Sequence, residues 1–163
     1  MRLEEDIKLD YKDVLIRPKR STLHSRKQVK LNRKFEFRNY KPKEQLVQEE
    51  HYNGIPIMAS NMDGVGTFEM ADKLAEGEIF TCLVKTYSAR ELIEYFMGPF
   101  ERTECVAMSI GTGDSDYNKL YQVAREVGHR LKYVCMDIAN GYSDHFAQHV
   151  RKVRAEFPDL VII

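Results

Sequence analysis

The chain carries no net charge and contains no long apolar run, and both absences restrict its function. Its 25 lysine and arginine residues balance 25 aspartate and glutamate residues, so the composition gives no general attraction to nucleic acid or to an anionic membrane. A membrane-spanning helix needs about 18 or more consecutive apolar residues, and the sequence has no such run. The acidic N-terminus is unlike a signal peptide. These features predict a cytoplasmic protein.

Cysteine is scarce, which restricts metal binding and covalent chemistry. The three cysteines are Cys82, Cys105 and Cys135. Their number is odd, and no two of them have the spacing of metal ligands. Each lies inside an apolar, strand-like segment, where free cysteine is commonly a small buried hydrophobic residue. We therefore expect three reduced thiols, no metal site and no nucleophilic cysteine among them.

Strand-like and helix-like segments alternate from residue 54 onwards. The predicted strands are 55–60, 79–84, 105–109, 131–137 and 160–163, and the predicted helices are 67–75, 89–97, 116–128 and 143–157. Strands that recur about every 25 residues with helices between them are typical of an α/β fold with a parallel sheet. No Gly-x-Gly-x-x-Gly follows the first strand, which favours a (β/α)8 barrel over a dinucleotide-binding open sheet.

A complete barrel of this kind needs about 250 residues, and the chain has 163. The sequence therefore predicts a partial TIM barrel: about the first four to five βα units, over residues 54–163, truncated at the C-terminus. Residues 1–53 are predicted to be an N-terminal arm followed by a loop at 39–53, with short strand-like pieces at 13–16 and 35–37. Residues 8–40 are rich in lysine and arginine. They are compatible with a solvated surface and with an arm that touches an anionic ligand or a neighbouring subunit.

Polar side chains follow each predicted strand. Asn61 and Asp63 follow the first, Lys85 the second, Thr112 the third and Asp137 the fourth. Because the C-terminal ends of barrel strands meet at one face, we expect these residues to surround one cavity. A lysine and an aspartate at strand ends suit proton transfer and cofactor orientation. A structural salt bridge is the alternative.

Local signals support the helices and leave one motif open. Asp116 and Ser143 are predicted N-caps, and the spacing of apolar residues in 143–157 predicts an amphipathic helix. The Gly-Thr-Gly sequence at 111–113 is compatible with a phosphate cradle and with a tight turn. The five histidines do not fall at strand ends, so we expect them on the surface or on helices.

Several longer motifs resemble those of a known enzyme family. They are Lys-Asp-Val-Leu-Ile-Arg-Pro-Lys-Arg-Ser-Thr-Leu at 12–23, Gly-Ile-Pro-Ile-Met-Ala-Ser-Asn-Met-Asp at 54–63, Val-Gly-Thr-Phe-Glu-Met-Ala at 65–71, Lys-Thr-Tyr-Ser at 85–88 and Asp-Ile-Ala-Asn-Gly-Tyr-Ser-Asp-His-Phe at 137–146. Together they resemble the N-terminal half of the GMP reductases, in the IMP dehydrogenase/GMP reductase family. The Asn-Met-Asp-x-Val-Gly-Thr-Phe and Asp-x-Ala-Asn-Gly-Tyr-Ser motifs are similar to the reductase rather than to the dehydrogenase.

This resemblance implies a TIM-barrel enzyme, usually a homotetramer, that converts GMP to IMP with NADPH and releases ammonia. In the family a loop cysteine attacks C2 of the purine, ammonia leaves, and NADPH supplies the hydride. That cysteine, its potassium site and the phosphate-binding loops are expected beyond Ile163. The chain would then be a fragment, an inactive relic, or one half of a split enzyme with a C-terminal partner.

The resemblance also implies roles for individual residues. Lys85 matches a lysine that lies at the cofactor and takes part in deamination, and Asp137 with Ile138 and Ala139 matches the loop beside the nicotinamide. Ser25 and Arg26 match arm residues that reach the cofactor of a neighbouring subunit. Met62 resembles a methionine that lines the nucleotide pocket.

Two positions depart from the family pattern. Threonine is usual in the family where this chain has Gly64. His-Lys-His is usual where this chain has Val-Lys-Thr at 84–86.

Overall fold

The computed structural model describes residues 6–37, 52–99 and 103–163. The chain forms two compact units, one ending at Lys30 and the other beginning at Leu31. Each unit is described by itself. The predicted boundary between residues 53 and 54 stays a prediction.

The first unit contains two short 3-10 turns, Tyr11–Asp13 and Arg26–Gln28. The strand predicted at 13–16 is wrong, because no strand is found there among the described residues. The side chain of Asp10 accepts a hydrogen bond from the Tyr11 N–H at 2.7 Å, and Asp13 Oδ2 accepts from the Asp10 N–H at 3.0 Å. These local bonds account for the turn at Tyr11–Asp13, while Val14 beyond it is extended but belongs to no strand in the described part of the chain.

The second unit is a six-stranded mixed sheet with helices. The strands are β1 Arg33–Phe35, β2 Tyr52–Ala59, β3 Ile79–Cys82, β4 Val106–Ile110, β5 Tyr133–Met136 and β6 Val161–Ile162. The helices are α1 Phe68–Ala75, α2 Ala89–Phe96, α3 Asp114–Val127 and α4 Asp144–Glu156. The sheet order follows the chain. Strand β1 runs antiparallel to β2, and every later pair is parallel.

The predicted strands and helices from residue 54 onwards are present, and the parallel pairing of their strands is confirmed. Strands β2 to β6 begin at 52, 79, 106, 133 and 161, so 27 or 28 residues separate their starts. Strand β2 includes Tyr52 and Asn53, which the sequence placed in the predicted loop. The Tyr52 ring lies 5.7 Å from the Phe35 ring and 5.4 Å from the Phe80 ring. Residues 39–51 of that loop lie outside the described residues. The strand predicted at 35–37 is observed two residues earlier, as β1.

Strand β4 lies where both faces of the sheet are packed. All five of its residues are buried, as in a parallel sheet that is covered on both sides. Val106, Met108 and Ile110 belong to the core that the sheet shares with the helices. Ala107 belongs to a second cluster on the opposite face, hereafter the inner face, with Tyr52, Phe80, Cys82, Cys105, Tyr133 and Val161.

Aromatic rings fill one end of the inner face. The Phe80 ring meets the Tyr52 ring edge-on at 5.4 Å and the Tyr133 ring edge-on at 4.9 Å. Beside them lies an apolar groove of about 270 Å³. Ile57 and Met58 of β2 line this groove and are 59% and 47% exposed. The inner face is therefore only partly covered by the described residues.

The helices begin at capping residues that the sequence partly reveals. The predicted cap Ser143 is confirmed, since its side chain accepts from the Phe146 N–H at 3.2 Å. The apolar spacing of α4 is confirmed by the fully buried Val153. The prediction of Asp116 as an N-cap is wrong: Gly113 is the N-cap of α3, and Asp116 lies in the first turn. The helix starts earlier, since the Gly113 carbonyl already accepts from the Tyr117 N–H at 3.0 Å.

Candidate functional site

Two of the predicted residues form an ion pair at the C-terminal edge of the parallel strands. Lys85 Nζ lies 3.1 Å from Asp137 Oδ2. The two side chains are 46% and 37% exposed, so both charges are reachable by a ligand. The Asp137 N–H donates to the Ile110 carbonyl at 2.8 Å, which fixes the backbone of the aspartate directly after β5. Asp137 is therefore placed by its strand, whereas Lys85 lies in the connection between β3 and α2.

The connection that carries Lys85 is held from two sides. The Val84 N–H donates to the Gly66 carbonyl at 2.8 Å. On the other side Lys119 of α3 donates from Nζ to the Lys85 carbonyl at 2.6 Å, and its Nζ lies 3.4 Å from the Tyr87 carbonyl. Asp116 Oδ1 is 3.5 Å from the same ammonium. Sequence analysis missed Lys119, although an Asp and a Lys three residues apart in a helix that follows a strand-end loop were a legible signal.

The loop after β2 packs directly on β3. A Cβ on Gly66 would lie 2.4 Å from the Cys82 carbonyl oxygen and 2.8 Å from the Val84 nitrogen, so only glycine allows this approach. The Met62 carbonyl accepts from the N–H groups of Val65 and Gly66 at 3.0 and 2.9 Å. The resulting turn leaves the Met62 side chain 63% exposed. This exposure is compatible with the nucleotide contact predicted for it, which remains a prediction.

One buried donor at this edge has no acceptor within the described part of the chain. Asn61 Nδ2, at the end of β2, is buried and makes no hydrogen bond there. Leaving a buried N–H unsatisfied costs about 1–3 kcal/mol, so such groups commonly have a further partner. An unsatisfied amide and a half-exposed ammonium fit a ligand rich in oxygen acceptors, as a nucleotide cofactor is.

The Gly-Thr-Gly sequence at 111–113 is better explained as a turn than as a phosphate cradle. A Cβ on Gly111 would lie 2.7 Å from Asp116 Oδ2, so the carboxylate occupies the space beside this glycine. A carboxylate in that place repels a phosphate group. The glycine therefore makes room for Asp116, which in turn faces Lys119.

The thiols below the ion pair differ in acidity. The interaction with the Cys82 thiol lowers the pKa of Cys135 despite partial burial, and the Cys82 thiol also donates to Met58 Sδ at 3.3 Å. The interaction with Cys135, together with burial, raises the pKa of Cys82. All three cysteines are free, and Cys135 is partly exposed where the other two are buried. The prediction of reduced thiols agrees with this, but Cys135 is less buried than expected.

The remaining predicted residues are distributed around the edge or lie elsewhere. Asp63 is exposed and Thr112 half-buried, and within the described ranges no hydrogen bond or ion pair joins either to the Lys85–Asp137 pair. Ile138 and Ala139 follow Asp137 at half-buried and exposed positions. The sequence predicted that all five strand-end residues surround one cavity. Of the five, Lys85 and Asp137 are the two that the described structure brings into direct contact.

Ser25 and Arg26 belong to the first unit. The Ser25 side chain accepts from the Lys27 N–H at 3.3 Å and caps the turn that begins at Arg26. Their predicted contact with a cofactor in a neighbouring subunit remains a prediction.

Two features are absent from the described residues. No group of three or more histidine, cysteine, aspartate or glutamate side chains in residues 6–37, 52–99 and 103–163 is arranged to hold a metal ion. Within the same ranges, none of the helices has both the length and the apolar character that crossing a membrane demands.

Curated relatives share the chain's sequence over nearly its whole length. The chain is 45% identical to GMP reductase 2 of Mus musculus and 46% identical to GMP reductase 2 of Homo sapiens, each over 161 residues and 99% of the chain. It is 43% identical to the GMP reductase of Vibrio parahaemolyticus over 163 residues. The resemblance in the motifs is thereby confirmed. The chain covers 44% of the length of each of these relatives, and no family model matches it.

A solved structure with the same architecture is the inosine 5′-monophosphate dehydrogenase of Legionella pneumophila. The TM-score is 0.57 at 17% identity, and the match covers 81% of this chain and 41% of the other. At this identity the likeness concerns the fold alone. It supports a curled sheet of the kind found in part of that enzyme.

Proposed function

We propose that this chain is the N-terminal part of a GMP reductase, and that the complete protein converts GMP, NADPH and two protons to IMP, NADP⁺ and ammonium. The observation that carries the proposal is the ion pair between Lys85 Nζ and Asp137 Oδ2, 3.1 Å apart, at the end of strands whose sequences match GMP reductases at 43–47% identity. The parallel strands and their helices are, in this proposal, the first units of a (β/α)8 barrel. The arm and loop at 1–53 precede it.

The residues of this edge have a consistent chemical role. An amino group leaves more readily when it is protonated, and a half-exposed ammonium beside a carboxylate is placed to donate a proton and to recover one. Lys85 is the proposed donor, and Asp137 holds and orients it. NADPH, when bound, would supply the hydride. Asn61, with its unsatisfied Nδ2, would donate to the ligand.

The finer parts of the proposal concern the remaining part of the protein, its assembly and the ligand contacts of individual residues of this chain. The nucleophilic cysteine and a potassium site belong to the remaining part of the protein. The enzyme is proposed to be a cytoplasmic homotetramer, in which Ser25 and Arg26 reach the cofactor of a neighbouring subunit. Ile138 and Ala139 would lie beside the nicotinamide, and Met62 beside GMP or IMP.

The test is NADPH oxidation, followed by absorbance, on mixing the purified chain and GMP with or without the C-terminal part of a related GMP reductase. We expect oxidation in the mixture alone. Lys85→Met and Asp137→Asn should each lower kcat about a hundredfold or more, the usual worth of a general acid. Lys73→Gln is the matched control, because Lys73 forms an exposed ion pair with Glu76 on α1.

Three other results would change the conclusion. Full activity of Lys85→Met would refute the role of the pair. Absence of oxidation in every mixture would favour an inactive fragment. Reduction of NAD⁺ with IMP would instead indicate a dehydrogenase.

A further inference from the structure

Lys119 contacts three oxygen atoms close to the Lys85–Asp137 pair. It lies on α3, and its side chain is 15% exposed. A lysine ammonium has three protons to donate and no lone pair to accept with. Around Lys119 Nζ lie three oxygens: the Lys85 carbonyl at 2.6 Å, the Tyr87 carbonyl at 3.4 Å and Asp116 Oδ1 at 3.5 Å. The number of partners equals the number of donors.

The two carbonyls belong to a connection without regular structure. Strand β3 ends at Cys82 and α2 begins at Ala89, so Lys85 and Tyr87 lie between them. The Tyr87 ring stacks on Phe68 of α1 with centroids 3.9 Å apart, which holds the far end of the connection. At Lys85 itself, the backbone is held by the hydrogen bond that the Lys85 carbonyl accepts from Lys119 Nζ at 2.6 Å. Charge-assisted bonds of this kind are about twice as strong as neutral ones.

We propose that Lys119 is a positioning residue for the proposed reaction: it fixes the backbone of Lys85 against α3, and so sets where the Lys85 ammonium meets Asp137. Asp116 completes the arrangement by neutralising Lys119, and Gly111 leaves room for that carboxylate. The catalytic consequence rests on the proposed function. The geometric consequence, that Lys119 controls the environment of Lys85, does not.

The first experiment measures the chemical reactivity of Lys85 without any substrate. The full chain is acylated with a trace of acetic anhydride, and the labelling rate of each lysine is read by peptide mass spectrometry. In Lys119→Met the Lys85 amine is released from Asp137, so we expect it to react about two- to fivefold faster, the factor that a partly exposed ion pair supplies. Lys119→Arg keeps donors and charge, and should restore most of the original rate. Labelling of Lys73, on a different helix, should not change.

The second experiment uses the chain combined with the C-terminal part of a related reductase. We expect Lys119→Met to lower kcat about ten- to a hundredfold, the usual effect of a misplacement near 1 Å, with the KM for GMP changed much less. If Lys119 only stabilised the fold, Lys119→Met would lower the amount of active enzyme and leave Lys85 labelling in the folded fraction unchanged. That outcome, or identical labelling and kcat in Lys119→Met and the original chain, overturns the proposal.

Two further outcomes remain informative: misfolding of Lys119→Met and the absence of NADPH oxidation in every mixture. If Lys119→Met does not fold by circular dichroism, Lys119→Gln takes its place, because its shorter, neutral side chain removes the ammonium that bonds to the Lys85 carbonyl while staying polar. A change in Lys85 labelling then supports the proposal, and no change overturns it. If no mixture oxidises NADPH, the proposed function fails, while the labelling rates still decide whether Lys119 positions Lys85.

Discussion

Replacing Gly66 by alanine tests whether the loop after β2 is held against β3 by direct backbone contact. The new Cβ would lie 2.4 Å from the Cys82 carbonyl oxygen and 2.8 Å from the Val84 nitrogen, and contacts below 3.0 Å essentially never occur. Both atoms are backbone, so no side-chain rotation relieves the clash. The loop must move away from the strand by about 0.6 Å or more, which is a form of overpacking.

The expected cost follows from two consequences of that movement. Overpacking of a filled site costs about 1–3 kcal/mol. The hydrogen bond from the Val84 N–H to the Gly66 carbonyl, 2.8 Å long, is weakened or lost, which costs about 1–3 kcal/mol if the N–H finds no other acceptor. We therefore expect Gly66→Ala to lower the free energy of unfolding by about 2–6 kcal/mol.

The assay is urea unfolding followed by circular dichroism, with Gly77→Ala as the matched control. A Cβ on Gly77 would meet its first neighbour at an ordinary 3.6 Å, so alanine there should be neutral or stabilising by about 0.4–1 kcal/mol through the unfolded state. Equal unfolding midpoints for the two variants would refute the reasoning. Because the loop also presents Met62, the combined enzyme carrying Gly66→Ala should lose affinity for GMP as well.

Three further predictions concern thiol reactivity, alkaline stability and association. Iodoacetamide should label the partly exposed Cys135, whose pKa the interaction with Cys82 lowers, before the buried Cys105, whose pKa burial raises to about 11; equal rates at pH 8 would contradict this. Burial raises the pKa of Tyr52 to about 12, so its neutral hydroxyl stabilises the fold fully below pH 10, and this contribution is lost as the pH rises towards 12; Tyr52→Phe should flatten urea midpoints over that interval, and an unchanged slope would count against it. The chain alone should self-associate through its inner face, and Ile57→Lys should shift sedimentation towards monomer; a monomeric original chain would disprove this.

The sequence predicted the parallel strands and their helices because their signals are local. Strand β4 is a continuous buried run, and α4 shows its apolar residues at helical spacing, so each could be recognised within about fifteen residues. The Lys85–Asp137 contact also followed from sequence, since the ends of parallel strands meet at one edge. The strand predicted at 13–16 failed because a strand also needs a pairing partner, which a local pattern does not reveal. Val14 is extended, but residues 13–16 pair with no strand in the described part of the chain.

Other features depended on residues that are distant in sequence. Tyr52 of β2 packs against the rings of Phe35 and Phe80, and no local pattern reveals these contacts. The difference in acidity between Cys82 and Cys135 arises because the fold brings two side chains 53 positions apart into contact on the inner face. Such proximity is created by the packing of strands, and the pKa responds to it.

The sequence by itself determined the alternation of strands and helices, the charged residues at the strand ends and the likeness to GMP reductases. Only the tertiary structure decided which of those residues meet, that Gly111 serves a carboxylate rather than a phosphate, and that Lys119 holds the connection that carries Lys85. The physical reason is range: periodicity and capping act over a few neighbouring residues. A hydrogen bond between side chain and backbone 34 positions apart exists only once the sheet has aligned its strands.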